Sequence, residues 1–463
     1  MEKVIVALDL GTAKIIAMVA KKGWNDVLSI QYAETINSGT AFRRGSVYNM
    51  KSVSEKISGL IGKLNSRLAA ENYSIEKIYL GVGGQALHTE VHSIKKEVEG
   101  GVVGRDLLKS IDEEIDKDPE SSLIRKKFRP EYYLDGQMEP NPSGAQGAVI
   151  EAKFSLVMGD RPLAGLREAI EKDAKIPVAD IFVSPLATAE AVLTKEEKEK
   201  GCALIEFGAA LTYVSIYKEN TLKHLVTIPI GGTAITKDMV SLNFPEKEAE
   251  VYKCNHGTTL IESDYEENTG KQTGEDEMLR LNRVIEARVN EILDNVIEQI
   301  YRSGYEQVVR SFVITGGGAS LRGLLEIIRR KTRKEVRLGL ALKTLVNQAP
   351  EWSQQPANSC VIGLLALGKE NCLKTKEITK VSLFPEDGNS TPIKKEIKKP
   401  DEKGRKNNSD GETIKGPVKK SNFWGSIFDK VTEELFNPEG TGSKEETAKT
   451  PEEKTAEKNE QIQ

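Results

Sequence analysis

The sequence predicts an α/β fold made of two copies of one unit with a cleft between them. Three observations carry this. A strand, tight turn, strand pattern opens the chain: residues 4–8, 15–20 and 27–33 read as short strands, with Asp9-Leu10-Gly11-Thr12 in the first turn. The same order returns about 200 residues later, with residues 203–206, 212–217 and 224–230 as strands and a helical stretch at 247–252. Between them, Ile57, Leu60, Ile61, Leu64 and Leu68 recur at helical spacing, and residues 78–82 return to strand, so helix packs on sheet.

The chain has 463 residues, 38% apolar, 29% charged and 6% aromatic, which is too long for one small fold and suits two to four domains. No run of eighteen apolar residues occurs, and Asp9 interrupts the first strand. Neither a spanning helix nor a signal peptide fits, and a cytosolic chain is expected. Cys202, Cys254, Cys360 and Cys372 stand apart with no Cys-x-x-Cys pair, which predicts reduced thiols serving as core filler. A net charge of −4 gives no basic surface for nucleic acid, so any anion site must be local.

Residues 83–160 interrupt the first copy and read as an inserted small domain with a strand near 86–91 and a break at Gly100-Gly101. Residues 241–310 read as a helical insertion in the second copy, with Leu281, Ile285, Val289, Ile292, Leu293 and Val296 in register. From about residue 376 the apolar periodicity lapses. Residues 376–420 are expected to form a flexible linker with a reach of roughly 35–40 Å. Phe423, Trp424, Ile427, Phe428, Val431 and Leu435 then fall on one helical stripe over 421–436, opposite Asp429, Lys430, Glu433 and Glu434. Residues 437–463 are rich in Glu, Lys and Thr and are expected to be disordered.

Asp9-x-Gly11-Thr12 lies in a turn where glycine lets main chain approach a phosphate and Thr12 adds a hydroxyl donor. Asp9 could hold Mg²⁺ through water, since that ion keeps several of its own ligands. Taken alone, the motif reads mostly as an ordinary turn. Thr315-Gly316-Gly317-Gly318 follows a strand at 312–314 and precedes a helix expected at 321–328, which would set main-chain N–H groups at a helix N-terminus, either for an anion or for close packing. Glu250 and Lys253 lie one helical turn apart, either as a solvated pair or as groups reaching a nucleoside.

Taken together, Val6-Ala7-Leu8-Asp9-Leu10-Gly11-Thr12, Gly81-Val82-Gly83-Gly84, the run from Ile228 through Gly231-Gly232 to Asp238, and Val313-Ile314-Thr315-Gly316-Gly317-Gly318 resemble the actin, sugar kinase and DnaK superfamily. Within it they resemble the FtsA family of cell-division proteins, over about residues 1–370. The resemblance implies a two-lobed, actin-like fold of duplicated ribonuclease H-like type with inserted subdomains, a disordered C-terminal linker and a terminal amphipathic helix. It divides the chain into subdomain 1A (1–82 and 161–198), subdomain 1C (83–160), which contacts the next protomer of a filament, 2A (199–240 and 311–375) and 2B (241–310), which receives the C-terminal peptide of FtsZ.

By the same resemblance, ATP is held by Gly11, Thr12, Ala13, Lys14, Gly208, Ala209, Thr212, Gly231, Gly232, Glu250, Lys253, Gly316, Gly317 and Gly318, with Asp9 and Glu206 as catalytic groups and as Mg²⁺ ligands through water. The terminal helix binds membrane lipid. The resemblance further implies self-association into filaments, other divisome partners, and a peripheral position on the cytoplasmic face of the inner membrane at the division septum. A pilus-assembly actin homologue and a small-molecule kinase share the superfamily. A kinase would need a carboxylate base facing a sugar-sized pocket and no lipid helix.

The sequence departs from the family in the second phosphate loop. Where the family reads Asp-x-Gly-Gly-Gly-Thr, this chain has Glu206-Phe207-Gly208-Ala209-Ala210-Leu211-Thr212. The Cβ atoms of Ala209 and Ala210 restrict positive φ and crowd phosphates. Ser184-Pro185-Leu186-Ala187 supplies a hydroxyl where DnaK-type relatives place a carboxylate that orients water. Nucleotide binding with at most slow hydrolysis is therefore expected.

The stripe at 421–436 would gain on the order of 10–20 kcal/mol if its large side chains were fully buried. Partial burial and helix ordering, at ~1–2 kcal/mol per residue, leave weak and reversible lipid binding that depends on many helices acting together. His88 and His92 have the spacing of helical metal ligands, but the alternation around them reads as strand and excludes them from the site.

Overall fold

The computed structural model describes residues 2–375, except 44, 118–123, 160–164, 262–273 and 347. The linker, the apolar stripe from Phe423 to Leu435 and the last segment lie outside the described residues.

The first sheet contains β1 (Lys3–Leu10), β2 (Lys14–Lys22) and β3 (Leu28–Asn37), an antiparallel meander, followed by β4 (Ile78–Val82) and β5 (Val178–Val183), which run parallel to β1. Its order is β3-β2-β1-β4-β5. The second half repeats the pattern with β6 (Cys202–Phe207), β7 (Thr212–Lys218), β8 (Thr221–Ile228), β9 (Ser311–Thr315) and β10 (Glu335–Leu338), in the order β8-β7-β6-β9-β10. The duplication read from sequence is thus a duplication of strand order and direction. The run from Ile5 to Leu8 is fully buried, as expected for a strand covered on both faces.

Helix α1 (Met50–Leu68) starts at Asn49, whose side chain accepts from Ser52 N at 3.0 Å. It buries Val53, Ile57, Leu60, Ile61, Leu64 and Leu68 against the first sheet, a stripe at i, i+3, i+4 spacing. Helices α2 (Ser184–Val192) and α7 (Ser359–Leu367) pack on each other, and their residues share one hydrophobic cluster with the first sheet and with Cys202, Leu204, Tyr213 and Val313 of the second. The opposite face of the second sheet packs on α3 (Gly232–Ser241), α4 (Glu246–Asn255), α5 (Gly274–Arg302) and α6 (Leu324–Thr332). All six periodic residues of α5 named from sequence are buried there.

Residues 88–158 have their own cluster, including Ile94, Ile111, Ile150 and Phe154. Strand His88–Glu97 pairs along its length with Val149–Met158 and meets the edge of β8 at Val226. The Thr227 hydroxyl donates to Leu87 O at 2.8 Å across that junction.

Several boundaries differ from the sequence reading for local reasons. β8 spans 221–228 rather than 224–230: Glu219 and Asn220 take positive φ and turn the hairpin earlier, and Pro229, without an N–H, ends the ladder. The strand expected at 86–91 is His88–Glu97. The helix expected at 321–328 starts at Leu324, because a 3₁₀ turn (Gly317–Ser320) and Gly323 at φ 77° intervene. The glycine loop therefore does not sit at an α-helix N-terminus. Cys202, Cys360 and Cys372 are buried as expected, but Cys254 is exposed, one residue past Lys253 on α4, and is not core filler.

Candidate nucleotide-binding cleft

The β1–β2 and β6–β7 turns are two versions of one hairpin. Asp9 pairs with Ile16 and Leu10 with Ile15, while Glu206 pairs with Tyr213 and Phe207 with Thr212. This matches Asp9 with Glu206, Gly11 with Gly208, Thr12 with Ala209, Ala13 with Ala210 and Lys14 with Leu211. Both turns line one cavity of about 560 Å³, together with the starts of α2 and α3, the inner side of α4 and the Gly316–Gly318 loop. That volume suits a cofactor-sized ligand.

Asp9 and Glu206 stand at the floor. Ser184 Oγ and Cys360 Sγ donate to Asp9 Oδ1 at 3.3 and 3.1 Å, so the N-terminal ends of the two packed helices α2 and α7 fix this carboxylate. Burial nevertheless pushes the Asp9 carboxyl above its ordinary value. Burial, reinforced by the charge of Asp9, raises Glu206 to about 8, with the nearby Thr188 hydroxyl acting weakly against it. Glu206 Oε2 is buried and has no hydrogen-bond partner. Two enclosed carboxylates, one with an orphaned oxygen, form a donor set that fits a hard divalent cation, and two protein oxygens suffice for an ion that keeps its waters and phosphate ligands. No group of three or more His, Cys, Asp or Glu residues among the described residues is arranged to hold a metal ion by protein ligands alone.

On the second lobe Lys253 Nζ, with its side chain only 11% exposed, donates to Glu250 Oε2 at 2.6 Å, Thr236 Oγ1 at 2.7 Å and Gly232 O at 2.9 Å. Thr236 Oγ1 also donates to Glu250 Oε2. Burial alone would raise the Glu250 carboxyl, yet these hydrogen bonds hold it below its ordinary value. The pair lines the cleft wall with Lys253 held among these acceptors, while the Glu250 side chain stays 54% exposed to solvent. Cys254 lies beside it, with Sγ 3.6 Å from Glu250 Oε1.

Asp9, Gly11, Thr12, Ala13, Lys14, Glu206, Gly208, Ala209, Gly232, Glu250, Lys253, Gly316, Gly317 and Gly318 all line the cavity. Thr212 and Gly231 do not. Thr212 is fully buried behind the turn, its hydroxyl donating to Ile230 O at 2.8 Å. Gly231 serves packing: a Cβ there would meet Gly208 O at 2.6 Å and Ala209 O at 2.7 Å. The close approach lets Gly232 N and Thr233 N donate to those carbonyls at 3.0 and 2.7 Å, so the first N–H groups of α3 are spent on the turn. Sequence reasoning missed Gly83, Tyr213, Ile235 and Cys254 as cleft residues. Tyr213 follows the turn as Ile16 follows the first, and that alignment of the two copies was the available signal.

The family model described as cell division protein FtsA matches residues 203–363. The chain is 28% identical over 490 residues to the cell division protein FtsA of Porphyromonas gingivalis, covering 94% of this chain and 99% of that protein. It is 26% identical over 409 residues to the cell division protein FtsA of Escherichia coli K12, covering 80% and 91%. Among solved structures it resembles a chain of a PilM-PilN type IV pilus biogenesis complex, with a TM-score of 0.56 at 14% identity over 79% of this chain and 99% of that one, a likeness of fold. The fold is actin-like, and residues 203–363 match the model of the FtsA family, to whose members the chain is similar over most of its length.

Proposed function

We propose that this protein is an adenine-nucleotide-binding division protein that polymerises beneath the cytoplasmic membrane and tethers FtsZ filaments to it. The observation that carries the nucleotide reading is the convergence of two equivalent hairpins, each with an acidic residue at its base, on one cavity also lined by the Lys253–Glu250–Thr236 network. Asp9 and Glu206 would hold Mg²⁺, which supplies charge neutralisation for the phosphates when bound. Lys14, exposed at the cleft mouth, would meet phosphate, and Glu250 and Lys253 would meet the nucleoside.

Slow hydrolysis follows from the same residues. Ser184 Oγ donates to Asp9 and offers no base to a water, and the second turn brings no polar side chain to the reacting phosphate. Nucleotide occupancy sets how the lobes sit and thereby favours head-to-tail stacking, the heterologous contact that generates filaments. Residues 83–160 would supply part of that contact and residues 241–310 the surface for the FtsZ C-terminal peptide. The stripe from Phe423 to Leu435 would supply the lipid contact, with other divisome proteins joining at the septum. No helix among the described residues is long and apolar enough to cross a membrane.

The relatives that share most of this chain's length are named for cell division, which favours this reading over pilus assembly or small-molecule phosphorylation. The test is co-sedimentation with FtsZ on lipid vesicles, with and without ATP, using the full chain and a chain lacking residues 421–436. Recruitment of FtsZ to vesicles by the full chain alone supports the tether. Equal recruitment by both chains, or none by either, overturns it.

A further inference from the structure

We propose that the cleft grips phosphate from one lobe only, so that the protein binds Mg·ATP and Mg·ADP with nearly equal affinity and responds to occupancy rather than to the terminal phosphate. This rests on the nucleotide reading above. The two turns share register and backbone form, yet their side chains have diverged in opposite directions. Where the first turn has the Thr12 hydroxyl and the Lys14 ammonium, the second has the methyl of Ala209 and the isobutyl of Leu211. Lys14 is exposed and lines the cavity, where its charge reaches both Asp9 and Cys254.

Leu211 is committed elsewhere. It is buried, belongs to the cluster shared with the first lobe, and lies directly beneath the main chain of Gly45, where φ is 81° and a Cβ would overlap its side chain. The tip of the second turn therefore holds the lobes together by apolar contact at the place where a phosphate clamp would present a donor. The neighbouring helix offers no charged replacement: Gly232 N and Thr233 N already donate to Gly208 O and Ala209 O, which leaves the neutral Thr233 hydroxyl at the cavity wall. A terminal phosphate between the turns would find the Lys14 ammonium on one side and only neutral donors, main-chain N–H and the Thr233 hydroxyl, beside the second turn. Discrimination between two and three phosphates requires contacts made only to the third.

Titration calorimetry on the full chain with Mg·ATP, Mg·ADP and adenosine tests this, alongside Lys14→Leu, an exposed position whose change makes the first turn resemble the second. The expected result is a less than fivefold difference between the ATP and ADP dissociation constants, with Lys14→Leu weakening both nucleotides at least tenfold and leaving adenosine unchanged. ATP binding fivefold or more tighter than ADP, or nucleotide affinities indifferent to Lys14→Leu, overturns the one-sided grip while leaving nucleotide binding intact. Absence of heat with all three ligands refutes the nucleotide reading itself and this proposal with it.

Discussion

Tyr213 Oη accepts the main-chain N–H of Gly84 at 3.0 Å, a hydrogen bond between the two lobes that joins positions 129 residues apart. The ring is buried at the back of the cleft, and burial pushes its hydroxyl well above the ordinary tyrosine value, so it stays protonated. Tyr213→Phe keeps the packing and removes the acceptor, leaving an enclosed N–H unpaired. A loss of about 1–3 kcal/mol is expected in denaturant unfolding, because a stranded buried donor costs its full desolvation. A loss within error would mean that Gly84 N–H finds water instead.

Glu206→Gln should stabilise the protein in the absence of ligands. The wild-type group must either carry a buried charge beside Asp9 or hold a proton that the unfolded chain would release at neutral pH. A gain on the order of 1 kcal/mol or more at pH 7 is expected, read as a rise in Tm, together with weaker magnesium-dependent nucleotide binding. An unchanged or lower Tm would place a compensating partner at the orphaned oxygen.

Arg337 and Glu197 give the protein an acid-sensitive joint between the second sheet and the chain entering it, with Nε–Oε1 and Nη2–Oε2 distances of 2.5 and 2.6 Å. Burial works to raise the Glu197 carboxyl, but Arg337 and the Thr194 N–H outweigh it and hold it below its ordinary value. A carboxylate lowered on folding stabilises above its unfolded pKa, and the contribution disappears as pH falls through the folded value. Glu197→Gln should cost about 1 kcal/mol at pH 7, with the Tm values of wild type and variant converging as pH falls below the ordinary carboxylate range. Parallel Tm curves across that range would rule out the ion pair as the source.

Gly363→Ala should be among the most damaging small substitutions. Gly363 of α7 lies against the main chain of Ala187 on α2, with no room for a Cβ. Separating these helices also moves Ser184 and Cys360, the two groups that fix Asp9. A loss of about 1–3 kcal/mol and weakened nucleotide binding are expected together. Destabilisation with unchanged binding would show that Asp9 is positioned from elsewhere.

The parts of this architecture that follow local rules were readable from sequence: the meander, the helical stripes of α1 and α5, and the Asp9 and glycine turns. The meeting of Tyr213 with Gly83 and Gly84 was not, because it is a packing fact between segments distant in sequence. Gly231 shows a different limit: a glycine that admits a phosphate and one that admits a carbonyl look identical in sequence, and here the close neighbours are Gly208 O and Ala209 O. Cys254 follows Lys253 on α4, and only the placement of that helix shows that the thiol opens into the cleft.

Strand Leu373–Thr375 pairs antiparallel with Tyr73–Ile75, and Cys372 both donates its N–H to Val4 O and accepts from Glu76 and Lys77 at its carbonyl. Tension arriving from the chain beyond residue 375 is thus delivered first to a short ladder on the first lobe. If the pull runs along the strands, several hydrogen bonds must yield at once; if across them, they open one by one. The direction of loading at this seam would decide how much mechanical force the body can transmit before its last strand peels away.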